Sequence, residues 1–299
     1  MTHPLLTTEQ RKQERALALT IWLDALLIVP YGIVSIWVGS LAMLSELLRG
    51  GLLMIVTGFS LRTLRQTHRG LIVDYDYGIG KLERALSGAV AFLLLLAAGF
   101  VVWRAFLMGP ETPASHFLRM VAILLVFINL LVNTIPAISL WRATRSQPSV
   151  IALSQFRARL AKAVGSVVVV TCVAFNSLAS DPITGRIADT VGALLVVGFM
   201  VVIAVGLLRE ALPDLLDRAL AEPMQVQVNQ TLAAFFHDYD ELISVRTRRS
   251  GNIAHVEITL GFAQNKTMGE VSQVIARMQD HLRNTNPDSD IVIVPRAVG

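Results

Sequence analysis

The sequence has little charge and almost no cysteine. Only 16% of its 299 residues are Asp, Glu, Lys or Arg, whereas soluble domains usually carry about a quarter. A single cysteine, Cys172, cannot form an intrachain disulfide, so a disulfide framework is excluded and no redox compartment can be inferred. Hydrophobic residues make up 54% of the chain. This composition predicts an integral membrane protein.

The sequence also lacks the motifs of common enzymes and nucleic-acid binders. Gly78 and Gly80 complete neither a GxGxxG nor a GxxxxGK[ST] phosphate loop. No nucleophile–base pair is evident, so an enzyme is not expected. The basic residues of 62–69 have no aromatic stacking platform, and they lie beside an apolar segment. We therefore expect this patch to contact anionic lipid headgroups and not nucleic acid.

Six apolar segments are long enough to cross a bilayer, which takes about 20 residues of α-helix. They are residues 16–38, 41–61, 85–107, 116–140, 161–180 and 188–208. A polar stretch that is too long for a secretory signal peptide precedes the first segment, which we therefore expect to be retained. The pattern predicts a short cytoplasmic segment over 1–15 and an all-α bundle of six membrane helices over 16–210.

Basic residues alternate between the connections of these segments. They cluster before the first apolar segment, between the second and third segments, between the fourth and fifth segments, and after the sixth segment. The residues are Arg11, Lys12 and Arg15; Arg62, Arg65, Arg69, Lys81 and Arg84; Arg142, Arg145, Arg157 and Arg159; Arg209 and Arg218. Because short cytoplasmic loops are enriched in Lys and Arg, both termini are expected in the cytoplasm, and the membrane is expected to be the cell (inner) membrane.

The C-terminal region reads as soluble and follows a linker over 211–221. Residues 226–239 predict a helix, and 243–249 and 253–262 predict two strands. Thr267 and Glu270 form a capping-box pattern at the start of a further helix, and 290–295 predict a last strand. Residues 222–299 are therefore expected to form a cytoplasmic α+β domain of order α-β-β-α-β, ferredoxin-like, with helices on one sheet face.

Short motifs occur in order along most of the chain. They are 39–42 (GSLA), 77–83 (YGIGKLE), 188–189 (AD), 245–251 (VRTRRSG) and 287–291 (PDSDI). Together with the six spans and the small α+β domain, they resemble the cation diffusion facilitators, which export divalent metals such as zinc, iron or manganese against protons. The resemblance implies a homodimer formed through 222–299 and embedded in membrane lipids. It implies a divalent cation as a possible substrate and no certain cofactor.

The sequence departs from that family at its metal sites. The family places His or Asp, and then Asp four residues later, on spans two and five, and the resemblance puts these positions at Arg49, Leu53, Ala158 and Lys162. None of these ligates a hard divalent cation, except a deprotonated lysine. The family's further metal positions correspond to Tyr75, Thr259, Val294 and Arg296. We therefore expect dimerisation that does not depend on metal.

Charged residues inside the predicted spans are candidates for the site, because such residues usually pair and face the bundle interior. Glu46 and Arg49 lie three residues apart on one helix face, and we hypothesise that they form a charge cluster with Lys162. The cluster is either a salt bridge that fixes span two to span five or a transport or proton-coupling site. Alternatively, Arg49 or Lys162 extends to the membrane interface. Asp24 is either a cation ligand or a partner of Lys162 or Arg49.

Other polar residues have two interpretations each. Asn129 and Asn133 lie one turn apart and either bond across helices or offer carbonyl oxygens to a cation. Asp189 either caps a helix or lines an outer vestibule. His255 and Glu257 share a strand face, which predicts a solvated surface more than a zinc site.

Three functions therefore stay open. The first is a divergent proton-coupled exporter of divalent metal. The second is a non-transporting relative that regulates or assembles with an active transporter. The third is a transporter with changed selectivity, for a monovalent cation or for an anion attracted by Arg49 and Lys162.

Overall fold

The structure is a computed structural model that describes residues 8–68, 80–107, 115–146, 150–178, 181–250, 253–287 and 289–298. The chain divides into two compact units. One lies within Met1–Leu71 and Ser87–Leu208, and the other within Ile72–Leu86 and Arg209–Gly299. Each unit has a hydrophobic core of its own. Residues 77–79 of the YGIGKLE motif, together with Tyr75, lie outside the described residues.

The described part of the first unit is built from long helices, one for each predicted apolar segment. They are α1 (Thr8–Val38), α2 (Leu41–His68), α3 (Gly80–Leu107), α4 (His116–Ser146), α5 (Val150–Leu178) and α6 (Pro182–Leu215). Among the described residues, α1, α2, α3, α4 and α6 are long and apolar enough to cross a membrane, which makes five. In α5 the apolar stretch Lys162–Leu178 is shorter.

The helices of the first unit are apolar both inside and outside. Met43, Leu94 and Met200 are fully buried in its core. Trp22 and Phe117, in contrast, are each 75% exposed. An outer surface of large apolar side chains is solvated by lipid acyl chains and not by water, as expected for helices that span a bilayer.

A tight turn joins α1 to α2 and is tied to α6. Gly39 has φ of 69°, which glycine adopts without steric cost. The side-chain oxygen of Ser40 accepts a hydrogen bond from Met43 N at 3.2 Å, as an N-cap does. The buried carboxylate of Asp189, on α6, accepts from Ser40 Oγ and from Leu41 N, both at 2.6 Å. Asp189 therefore caps α2 from a neighbouring helix.

The second unit follows the predicted element order. It contains α7 (Glu222–Ala234), β1 (Glu241–Ser250), β2 (Ile253–Ala263), α8 (Met268–Thr285) and β3 (Ser289–Val298). Within the described residues the sheet has the order β1-β2-β3, with β1 antiparallel and β3 parallel to β2. The predicted alternation along β2 is confirmed, since Ala254, Val256, Ile258 and Leu260 are buried.

Two helix boundaries in this unit can be compared with the prediction. The capping box at α8 is confirmed, and the Thr267 backbone N–H donates to Glu270 at 2.8 Å. This bond and the one from the Thr267 hydroxyl lower the pKa of the Glu270 carboxyl. The predicted helix over 226–239 is wrong at both ends. Pro223 in the first turn starts α7 earlier, and the helix ends before Phe235, where turns follow.

Ion pairs within the second unit connect the start of α3 to the last turn of α6 and to the residues that follow it. Lys81 Nζ lies 2.8 Å from Asp217 Oδ1, and Arg84 Nε lies 2.9 Å from Asp214 Oδ2. Asp217 also lies 3.6 Å from Arg248 on β1. The hydrogen bond from Lys81 lowers the pKa of the Asp217 carboxyl. The exposed Lys81–Asp217 pair contributes about 1 kcal/mol or less to stability, whereas Asp214 is buried at 8% exposure.

Candidate functional site: a charge-compensated cavity

A cavity of about 50 Å³ lies within the first unit. Its lining comes from α1, α2, α4 and α5, and it includes most of the candidate residues that were predicted in the membrane helices. Those on its wall are Asp24, Glu46, Arg49, Leu53, Asn129, Asn133 and Lys162. Asp189 is not among the lining residues, and the side chain of Ala158 lies outside the described part of the chain.

Glu46 and Arg49 form a buried, two-point ion pair. Arg49 Nε donates to Glu46 Oε2 at 3.0 Å, and Nη2 donates to Oε1 at 2.6 Å. The residues are 6% and 2% exposed, so Arg49 does not extend to the surface. The i, i+3 spacing on α2 permits this geometry, and a bidentate Arg–carboxylate pair is among the stronger charged contacts.

Gly165 on α5 makes room for this pair. A Cβ atom at this position would lie 2.9 Å from Arg49 Nη2 and 3.3 Å from Cζ. The guanidinium of α2 therefore packs directly on the backbone of α5, and only glycine fits there without a shift. Gly165 was not identified from the sequence. Its one signal was a glycine three positions after Lys162 in an apolar helix.

Lys162 pairs with Asp24 and not with Glu46. Its Nζ lies 3.0 Å from Asp24 Oδ2, and the two side chains are 22% and 19% exposed. The predicted trio of charges is therefore an arrangement of two pairs, one within α2 and one between α1 and α5. Because two acids face two bases, the described wall of the cavity has no net formal charge.

Amide groups on α4 bond to α5 beside these pairs. Asn133 Nδ2 donates to Ser166 Oγ at 3.0 Å, and Asn129 Nδ2 lies 3.4 Å from the same oxygen. Asn133 Nδ2 also donates to the Asn129 carbonyl at 2.9 Å. Helix-to-helix hydrogen bonds of this kind stabilise membrane bundles by about 1 kcal/mol. Ser166, like Gly165, was not identified from the sequence.

Two of the residues that line the cavity each carry a buried oxygen without a hydrogen-bond partner among the described residues. These oxygens are the hydroxyl of Tyr31 and Oδ1 of Asn133. The two residues are each 4% exposed. Buried polar atoms nearly always have a hydrogen-bond partner in native proteins. The two oxygens therefore favour a polar ligand in the cavity. Tyr31 was not identified from the sequence, because a single tyrosine in an apolar segment gives no distinctive pattern.

The resemblance assigned the family's C-terminal metal positions to Thr259, Val294 and Arg296, and their side chains are not usual metal ligands. Thr259 and Val294 are directly paired on β2 and β3, and Thr259 Oγ1 accepts from Ser244 Oγ at 3.1 Å. His255 Nδ1 lies 3.1 Å from Asp290 Oδ2. Across the described residues, no group of three or more His, Cys, Asp or Glu side chains could hold a metal ion.

The long apolar helices and the buried charged cavity define an integral membrane protein with an internal polar site. Residues 17–216 match the family model of the cation efflux transmembrane domain, which is more than half of the chain. The chain therefore belongs to the cation efflux (cation diffusion facilitator) family, whose members are transporters and not enzymes. The family resemblance predicted from the motifs is confirmed. No curated protein matches the chain.

Proposed function

We propose that this protein is a proton-coupled cation transporter whose family metal site is replaced by the charge-compensated cavity. The observation that supports this most is the position of the cavity. Four charged residues, on α1, α2 and α5, surround a polar space inside the domain that matches the cation efflux family. Buried ionisable groups in a membrane domain are costly and usually serve the transported ion or the proton.

Six membrane spans with both termini in the cytoplasm form the second part of the proposal. The alternating basic connections favour this orientation. The continuous helix from Val150 to Leu178 favours α5 as the remaining span, although its apolar stretch is shorter. In such a bundle, alternating access would move helices around a site near the middle of the membrane. The cell (inner) membrane is the proposed location.

The ferredoxin-like C-terminal domain is proposed to form a cytoplasmic homodimer without metal. The side chains of Thr259, Val294 and Arg296 support the independence from metal, because none of them is a usual metal ligand. Light scattering of the purified protein with and without a chelator tests this. We expect a dimer in both conditions, and dissociation by the chelator would contradict the proposal.

A non-transporting partner of an active transporter is a second candidate. It is favoured by the close packing of Arg49, which is 2% exposed and lies directly against Gly165. A fixed guanidinium between α2 and α5 would take the place of a metal ion as a permanent tether. In that case the buried pairs would hold the bundle in one conformation.

Flux measurements in proteoliposomes separate the two candidates. Vesicles with an imposed pH gradient are supplied with zinc, manganese, iron, cobalt, sodium, potassium or ammonium, and a pH dye reports proton movement. We expect at least one cation to move protons in the opposite direction. Asp24→Asn is expected to abolish this exchange, whereas the exposed Asp280→Asn serves as the matched control and leaves it unchanged. If no cation moves in the unaltered protein, the non-transporting candidate is correct.

A further inference from the structure

The four charged side chains of the cavity wall restrict the charge of the ion that the cavity can bind. Glu46 neutralises Arg49, and Asp24 neutralises Lys162, so neither carboxylate is left over to balance an incoming ion. The cost of burying an ion rises with the square of its charge, so a divalent ion costs about four times as much as a monovalent ion of the same size. A wall without net charge therefore selects strongly against divalent ions.

The two unpartnered oxygens restrict the chemistry of the guest further. Tyr31 and Asn133 both line the cavity, and each carries a neutral, buried oxygen, Oη and Oδ1, without a hydrogen-bond partner among the described residues. The amide nitrogens of Asn129 and Asn133 already donate to Ser166. The amide oxygen of Asn133 therefore remains available to accept a hydrogen bond or to coordinate a cation. Neutral oxygens of this kind replace the hydration shell of monovalent cations in selective pores.

The size of the cavity agrees with a small guest. A cavity needs a volume of about 10–15 Å³ to hold one water molecule, and this cavity has a volume of about 50 Å³. It therefore has room for a monovalent ion with one or two waters. A larger organic cation would require the helices to separate.

We propose that the cavity binds a small monovalent cation through Tyr31 Oη and Asn133 Oδ1. This inference rests on the proposed function, since it names the cargo of the same cavity. In this proposal the hydroxyl of Tyr31 binds the cation, so Tyr31 has a role beyond packing in the core. The cation is either an alkali ion, which coordinates oxygen lone pairs, or ammonium, which donates hydrogen bonds to them.

Equilibrium binding of radioactive rubidium to the purified full-length protein tests this proposal without requiring transport. We expect saturable binding that potassium, sodium or ammonium displaces and that equal concentrations of zinc or manganese do not. Displacement mainly by potassium or sodium identifies an alkali site, and displacement mainly by ammonium identifies a hydrogen-bonding site. Each outcome supports a monovalent site. Absence of saturable rubidium binding, or stronger displacement by a divalent ion, would overturn the inference.

Two tyrosine variants locate the binding. Tyr31→Phe removes one oxygen and keeps the ring, and we expect it to weaken rubidium binding about tenfold, as for the loss of one good polar contact. Tyr239→Phe is the matched control, because its hydroxyl donates to the Leu232 carbonyl at 3.2 Å in the other unit. We expect it to bind rubidium normally.

Equal binding by Tyr31→Phe and the unaltered protein would overturn the assignment. If Tyr31→Phe does not fold, competition in the unaltered protein still decides the class of ion.

The outcome separates this inference from the proposed function. Rubidium binding without any flux would overturn transport and leave the monovalent site intact. Proton-coupled flux of a divalent metal without rubidium binding would leave transport intact and overturn the monovalent site.

Discussion

Replacing Glu46 by methionine tests how the first unit tolerates its buried charges. Methionine has a similar length and no charge, so the substitution removes the partner of Arg49 with little change in volume. Arg49 is 2% exposed and donates through both Nε and Nη2 to the lost carboxylate. In Glu46→Met, the guanidinium would be left as an unpaired buried charge.

The expected cost follows from this burial. Removing one partner of a buried ion pair usually destabilises a protein by about 3–5 kcal/mol, whereas replacing both partners by apolar residues is about neutral. We therefore expect Glu46→Met and Arg49→Met each to be strongly destabilised. The double variant is expected to lie within about 1 kcal/mol of the unaltered protein, because no charge is then left unpaired. The coupling energy of the pair would be several kcal/mol.

Reversible unfolding in mixed detergent micelles measures these free energies. The exposed pair of Lys81 and Asp217, whose side chains are 39% and 45% exposed, provides the control. Lys81→Met is expected to cost about 1 kcal/mol or less. If Glu46→Met proves as stable as Lys81→Met, the guanidinium of Arg49 is not left as a costly unpaired buried charge, and the reasoning is refuted.

Three further predictions concern single contacts. Gly165→Ala should lose about 1–3 kcal/mol of stability through overpacking against the guanidinium, and the loss should disappear in an Arg49→Met background; an equal loss in both backgrounds would contradict the packing. Asp189→Ala should lose about 1–3 kcal/mol in the same unfolding assay, because Leu41 N and Ser40 Oγ at the buried N-terminus of α2 lose their acceptor. Unchanged stability would disprove that role. The Ala263 N–H holds the pKa of the Asp240 carboxyl below its usual 3.8. The ionised carboxylate therefore stabilises the fold above pH 3.8, and this stabilisation is lost as the pH falls through the lower pKa of the folded state. Asp240→Asn should therefore melt with a shallower acid dependence, and an unchanged dependence would argue against the contact.

Local patterns in the sequence predicted much of the fold. Apolar runs of membrane length identify the long helices, since no other backbone arrangement except a closed barrel satisfies its hydrogen bonds in lipid. The alternation along β2 and the Thr267–Glu270 capping box depend only on neighbouring residues. The end of α7 was predicted wrongly, because the apolar pattern continues past Ala234 while the chain turns there.

The candidate site was predictable only in part, and the missing part depends on tertiary contacts. Glu46 and Arg49 share a helix face, so their pairing follows from spacing alone. For Asp24 the sequence left a cation ligand or a partner of Lys162 or Arg49 open. The Asp24–Lys162 pair joins residues 138 positions apart, and periodicity cannot choose among these alternatives. Gly165 and Tyr31 acquire their meaning from the guanidinium and the cavity beside them, which exist only after the helices have packed.

Anomalous diffraction from crystals grown with rubidium would test the central claim most directly, because it locates the bound ion. We predict one strong anomalous peak within the first unit, beside Tyr31 Oη and Asn133 Oδ1 and between the Glu46–Arg49 and Asp24–Lys162 pairs. No peak there at saturating rubidium, or a peak only elsewhere in the protein, would contradict the account.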